Sequence, residues 1–392
     1  MYSEEMYGYG AQSSVIREIF AYGMQRKEEI GAENVYDFSL GNPSVEPPKE
    51  VTETFIKLLQ TRPALELHGY TAGPGDMGVR NAIAEDLNDR FQTNIKGKNL
   101  YMTCGAAASL KIILTALYEE GDEALTLTPF FPEYTVFSES AGYKFKPVQS
   151  NPENFQPDIA KLEEAVSEKT KCIILNSPNN PSGVVYTKES IKAVADLLEK
   201  KEKEYAHPIF IISDEPYREL SYGAEVPFLP KYYKNTVVCY SYSKSLSLPG
   251  ERIGYICVSD EVTESEKIYA AVCGAGRALG YVCAPSLLQK VVKECVKSRP
   301  ELDTYKKNRD LLYNALTQYG YSCIYPDGAF YLCVKALEED AKIFAEKAKK
   351  YELLLVPGDS FCAPGYVRVS YCVSTDMIER SLPAFKKLIE EY

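Results

Sequence analysis

Seven short apolar runs, separated by polar or helix-patterned sequence, dominate residues 98–258. They are "NLYMT", "EALTLT", "YKFKPV", "KCIILN", "PIFIISD", "TVVCYS" and "RIGYICV". A strand with one wet face alternates apolar and polar residues, whereas most of these runs are apolar throughout and so are expected to be covered on both faces. Amphipathic patterns such as "AAASLKIILTALYEE" and "KESIKAVADLLEKKEKEY" lie between them. Unpatterned strands alternating with helices specify an α/β fold with a mostly parallel sheet sandwiched by helices.

At 392 residues the chain exceeds what one hydrophobic core usually organises, so two domains are expected. The sheet region, 45–286, forms the large domain; segments 1–44 and 287–392 form a smaller α+β domain. Segment 1–44 holds one helical pattern, "SSVIREIFAYGMQRKEEIG", which puts Val15, Ile16, Ile19, Phe20 and Met24 on one face and stops at Gly31. From Leu287 to Gln318 the pattern is helical, and it leads into the strand-like "YSCIYP", "AFYLCV", "LLLVPG" and "YVRVSY".

The formal net charge of -11 argues against nucleic acid as the main partner, because phosphate backbones need a basic face. It leaves room for local basic pockets that take small anions. No apolar run approaches the roughly 20 residues of a membrane span. "MYSEEMYGYG" lacks the features of a secretory signal, so a cytoplasmic location is expected. The 11 cysteines are odd in number and none is spaced CxxC. Cys104, Cys172, Cys239, Cys257 and Cys333 fall within apolar runs and read as buried reduced thiols.

Ligands of parallel α/β sheets bind beyond the carboxyl ends of the strands. "YMT" is followed by "CGAAASL", where small residues opening a helix let backbone N–H groups approach an anion. The other strand ends deliver Phe131, Asn180, Asp214 with Tyr217, and Ser241 with Lys244. Each has an ordinary explanation, since Asn and Asp also make turns and helix caps. Lys244 is less ordinary. In "CYSYSKSLSLPGERIGY" it sits among hydroxyls, with Lys234, Glu251 and Arg252 as its nearest charges along the chain. An aromatic plane, amide, carboxylate, phenol, amine and phosphate donors together suit one flat, phosphorylated heteroaromatic aldehyde.

"SYSKSLSLPGERIG" resembles the lysine signature of class I/II pyridoxal-phosphate (PLP) aminotransferases, with the arginine eight residues after the lysine. Further landmarks of that family follow in order: "GNP", "GYTAGPGDMGVRNAIA", "CGAAASL", "PFFPEY", "NSPNNPSG", "DEPY" and "YVRVSY". The resemblance implies a fold type I PLP-transferase that moves the amino group of an L-amino acid to a 2-oxo acid. It implies that Lys244 carries the cofactor as a Schiff base and later shuttles a proton, and that Asp214 pairs with the ring nitrogen. Asn180 and Tyr217 would bond the ring 3-oxygen, with Phe131 and Pro216 on its two faces. Gly105, Ala106, Ala107, Ser241, Ser243 and Arg252 would hold the phosphate. Arg368 would grip the substrate α-carboxylate near Gly41, and cis peptides are implied at Pro129 and Pro181.

A homodimer is also implied, with Tyr70 lent to the partner's phosphate. Arg277, 33 residues after Lys244, lies near where one subgroup places an arginine that crosses the interface to a distal carboxylate, which suggests aspartate or another dicarboxylic substrate with 2-oxoglutarate. Its alternative is a structural or surface arginine. Another subgroup uses a lysine in the phosphate segment, where this chain has Ala107. "GAGRALG" has the wrong spacing and context for a dinucleotide loop, and His68 and His207 are too few for a metal site. The chemical rival is a C–S β-lyase on the same scaffold; a non-catalytic regulator would need an added DNA-binding segment.

Overall fold

The computed structural model describes residues 1–11 and 15–392. All seven runs are strands of one sheet: β1 Leu100–Thr103, β2 Glu123–Leu127, β3 Lys144–Val148, β4 Thr170–Asn176, β5 Phe210–Asp214, β6 Thr236–Ser241 and β7 Gly254–Val258. Their order across the sheet is β1-β7-β6-β5-β4-β2-β3. β7 is antiparallel to both its neighbours and the other six strands run together.

Both faces of the central strands are covered. Val237 and Cys239 pack into one core with Ile112 and Val272, while Val238 and Tyr240 pack into another with Ile83 and Val292. This two-residue alternation is the strand period, with apolar residues needed on each side. The first core is roofed by α4 (Ala106–Leu117) and α7 (Ser265–Ala278), the second by α2 (Lys49–Thr61), α3 (Met77–Phe91) and α8 (Ser286–Cys295); α5 (Ile159–Ala165) and α6 (Lys188–Tyr205) cover a third, with Leu125, Ile173 and Ile211 of the sheet. Of the cysteines expected to be buried, Cys172, Cys239, Cys257 and Cys333 are; Cys104, beyond the end of β1, is half-exposed.

The remaining residues build a four-stranded antiparallel sheet from β8 Cys323–Ile324, β9 Tyr331–Lys335, β10 Val356–Pro357 and β11 Tyr366–Ser370. Its core joins Leu332, Val334, Val367 and Val369 to helices α9 (Asp303–Tyr319), α10 (Ala341–Lys349) and α11 (Thr375–Ile389).

Three expectations need correction. The helical stretch 287–318 is two helices, α8 and α9, with Pro300 in the break, since proline cannot donate to a helix ladder. Leu288, Val291, Val292 and Cys295 of α8 pack on the large sheet's core. An additional helix, Glu4–Ala11, precedes the expected N-terminal one and buries no residue. In α1 (Val15–Ile30) Ile19 and Gly23 are buried, but Met24 is exposed, because the covered face passes through Gly23 against Leu354. Ser13 and Ser14 of that pattern lie outside the described residues. Among the described residues no helix is long and apolar enough to cross a membrane.

Candidate active site

The carboxyl ends of β4, β5 and β6 lie side by side. Asn176, ending β4, stands opposite Asp214, ending β5, and Asp214 stands opposite Cys239 of β6. After Ser241 the chain enters a single helical turn, Tyr242–Ser245, capped by Ser241 Oγ accepting from the Ser243 N–H at 3.2 Å. Lys244 rides on that turn.

Gly105 opens α4 with φ 88° and ψ 175°, a region open essentially to glycine alone. A Cβ there would lie 2.7 Å from Arg252 Nη2. The bare backbone therefore lets a guanidinium approach the start of α4, where the Ala106 and Ala107 N–H groups have no partner within the helix. Arg252 Nη1 donates to Ser243 Oγ at 3.3 Å and to the Pro249 carbonyl at 2.9 Å, and the Ser241 and Ser243 hydroxyls are 2.7 Å apart. Helix N-terminus, hydroxyls and arginine form a cup for a multiply charged anion.

Lys244 Nζ donates to the Gly41 carbonyl at 2.6 Å. Burial pushes its pKa down to about 8, with Cys372 opposing and Arg252 and Arg368 adding to the fall. Gly41 has no room for a side chain, because a Cβ would sit 2.0 Å from Tyr331 Oη. Tyr331 Oη is also 2.9 Å from Tyr217 Oη.

Asp214 is buried, and burial pushes its carboxyl up to about 7; the Tyr134 hydrogen bond opposes this and Glu215 adds to it. Tyr134 Oη donates to Oδ2 at 2.5 Å, while Oδ1 has no partner among the described residues. Arg368, on β11, is held between the Tyr331 and Phe361 rings, 4.7 Å from each. Its Nη1 donates to Asn180 Oδ1 at 3.1 Å and its Nη2 to the Ser39 carbonyl; its Nε is buried without a partner among the described residues. Asn176 supports this corner, accepting the Asn180 N–H at 2.8 Å and donating to the Asp214 carbonyl at 2.9 Å.

These groups face one cleft of about 320 Å³, walled by Phe131, Pro216, Ile16 and Leu110. Gly41, Ala106, Ala107, Asn180, Asp214, Tyr217, Ser241, Ser243, Lys244, Arg252 and Arg368 all line it. Gly105 sits behind Arg252. Tyr70 and Arg277 do not line it: Tyr70 is 93% exposed beside a separate surface hollow, and Arg277 is exposed in the last turn of α7. His68 is exposed as well. Thr128–Pro129 and Asn180–Pro181 are cis, in keeping with the resemblance, and Ser177–Pro178 is a third cis bond.

A phosphorylated pyridine aldehyde fits this chemistry. The cup would take the phosphate, the orphaned Asp214 oxygen calls for a donor such as a ring N–H, and Lys244 supplies an amine. Asn176, Tyr134 and Tyr331 are site groups that the sequence reading does not single out, and Ile16 figures there only as part of an apolar helix face. Asn176 ends a strand and was open to the strand-end rule; Tyr134 sits in the quoted "PFFPEY". Tyr331 reads as a core strand residue, and nothing in the sequence says where its hydroxyl points.

Residues 33–385 match the sequence profile of aminotransferase class I and II. A probable aspartate aminotransferase of Methanocaldococcus jannaschii is 31% identical over 390 residues, covering 96% of this chain and 97% of that one. The crystal structure of an aminotransferase from Eubacterium rectale superposes with a TM-score of 0.98 at 55% identity, over 100% of this chain and 99% of that one. Thermus thermophilus aspartate aminotransferase with maleate gives a TM-score of 0.87 at 25% identity, over 99% of each chain. With its α/β fold and this cleft, the chain belongs to the class I and II aminotransferases, PLP-dependent enzymes that transfer an amino group between an amino acid and a 2-oxo acid.

Proposed function

We propose that this transaminase holds PLP in the cleft through Lys244, and that it works as a homodimer on dicarboxylic substrates. When bound, PLP supplies an electron sink for the charge left when the substrate's Cα–H bond breaks. Arg252, Ser241, Ser243 and the backbone from Gly105 to Ala107 anchor its phosphate. Asp214 Oδ1 faces the ring nitrogen, Asn180 and Tyr217 serve the 3-oxygen, and Phe131 and Pro216 flank the ring. Arg368 takes the α-carboxylate. Lys244 holds the cofactor covalently and moves the α-proton, a task helped by an amine whose pKa has fallen to about 8.

One observation carries the reading. Among the described residues, a buried carboxylate with an unpartnered oxygen, a half-buried amine with lowered basicity and a buried arginine with an unpartnered Nε all face one cleft. Lys244→Ala should lose covalent cofactor and transamination together; retained turnover would overturn the assignment.

Two observations support the dicarboxylate preference. Two of the three relatives named above, those of Methanocaldococcus jannaschii and Thermus thermophilus, are named aspartate aminotransferases, the first as a probable one. Among the described residues lining the cleft, the cations are Lys244, Arg252 and Arg368, each already assigned a task. A distal carboxylate therefore calls for a charge from outside, and exposed Arg277, like exposed Tyr70, is free to enter a partner subunit's site. An amino-donor screen against 2-oxoglutarate tests the class. Arg277→Ala should lower kcat/KM for dicarboxylic donors far more than for neutral ones; an equal effect on both would sink the proposal. We also propose a two-domain division near residue 45, with α8 counted in the large domain because of its packing there, and a cytoplasmic location.

A further inference from the structure

The carboxylate of Asp214 could turn about its Cβ–Cγ bond, a torsion with two nearly equivalent settings. Its surroundings remove that equivalence. Tyr134 donates to Oδ2 at 2.5 Å, and Oδ1 is left without a partner among the described residues. Tyr134 is itself fixed: its ring is buried, lies nearly parallel to Phe130 at 6.3 Å and meets Phe131 edge-on at 5.8 Å. Burial and the adjacent carboxylate push the phenol's pKa far up, so it remains a donor across working pH.

The other groups facing this carboxylate do not donate to it. Glu215 is occupied by Arg218 and Ser213; Tyr217 bonds Tyr331; Cys239 is a buried thiol whose pKa is raised by burial and by Asp214. Hydrogen bonding to an ionised carboxylate favours the ionised form, whereas burial and Glu215 favour the neutral one. Tyr134 is thus the side-chain donor that opposes neutralisation of Asp214.

We propose that Tyr134 is a positioning residue of the reaction: it selects which Asp214 oxygen faces the cofactor's ring nitrogen and keeps the proton they share on the nitrogen. The inference rests on the reading of Asp214 as the ring-nitrogen partner. An electron sink needs that proton on the ring, so losing the Tyr134 hydroxyl weakens the chemical step while leaving substrate binding intact.

The test uses holoenzyme loaded with PLP carrying ¹⁵N in the ring, read by NMR. Asp214→Asn defines the signal of an unprotonated ring. Tyr134→Phe should move the wild-type signal towards that limit and slow half-transamination by about 10- to 100-fold, the range for one charge-assisted hydrogen bond, with KM changing less than about threefold. Replacing Tyr134 by 3-fluorotyrosine, which keeps ring and donor, should leave the signal at or beyond wild type, and it serves as the test should the Phe variant fail to fold. A Tyr134→Phe signal identical to wild type, or a fluorotyrosine signal shifted towards the Asp214→Asn limit, overturns the inference. An Asp214→Asn signal identical to wild type instead overturns the reading of Asp214 beneath it.

Discussion

Replacing Gly105 by alanine perturbs the cleft through one carbon atom. At φ 88° and ψ 175° an L-residue is strained, at a cost of about 1–3 kcal/mol. The added Cβ would also stand 2.7 Å from Arg252 Nη2 and 3.1 Å from Cζ, so the guanidinium must retreat from the anion cup. The backbone cannot easily yield in its place: Gly254, its neighbour in β7, has room for no Cβ itself and lies against the Gly105 backbone. A charge-assisted hydrogen bond contributes about 1.5–3 kcal/mol, so the loss of Arg252 from the phosphate corresponds to ~10- to 100-fold weaker cofactor binding. Titrating cofactor-free protein with PLP, followed by absorbance, measures this directly, and the apo protein's melting temperature reports the strain separately. Arg252→Ala in the same titration supplies the reference for full loss. A Gly105→Ala protein with wild-type affinity and melting temperature would refute both the glycine-only backbone and the close approach of Arg252.

Three further outcomes follow from the buried charges. The folded state holds the Asp214 proton to about pH 7 while an unfolded carboxyl releases it near 3.8, so apo stability falls as pH rises between those values and stays low above them. Cofactor-free Asp214→Asn should therefore melt higher than wild type above pH 7 and converge with it near pH 4; a constant difference would contradict burial as the cause. The neutral Lys244 amine is scarce below its pKa of about 8, so covalent capture of PLP should quicken about tenfold per pH unit up to that point and then level off. A stopped-flow profile still climbing at pH 10 would exclude the depressed value. Arg218 pairs with buried Glu215, donates to Tyr255 Oη at 3.0 Å and lies 4.5 Å over the Tyr240 ring. Arg218→Met alone should cost about 3–5 kcal/mol in denaturant unfolding and Arg218→Met/Glu215→Gln much less, because the single change strands a buried charge.

The large sheet was legible because its strands are covered on both faces, and continuous apolar runs such as "KCIILN" announce that directly. The strand-end groups were legible for a related reason, as the turn after a parallel strand is where a ligand can reach the backbone. Tyr134 and Tyr331 escaped because each works through a hydroxyl whose direction is set by tertiary packing; along the chain both resemble core aromatics. The break before α9 could have been read from Pro300. The exposure of Met24 could not, since helix α1 turns Gly23 towards Leu354, a residue from the far end of the chain.

β7 alone runs against its sheet, and its reversal has a geometric consequence. Ser241 ends β6 directly opposite Gly254, which begins β7, so the connection between them is a hairpin confined to one rim of the sheet. Lys244 and Arg252 both lie on that hairpin, one near each end. Under the proposed assignment the two would act as the jaws of a single caliper, set to the span between the aldehyde and phosphate ends of one small molecule. A crossover to a parallel β7 would have carried the arginine to the opposite rim, out of the lysine's reach. Lengthening the loop would spoil the gauge without touching either jaw, so an insertion between Leu246 and Pro249 should be far more damaging than its distance from the chemistry suggests.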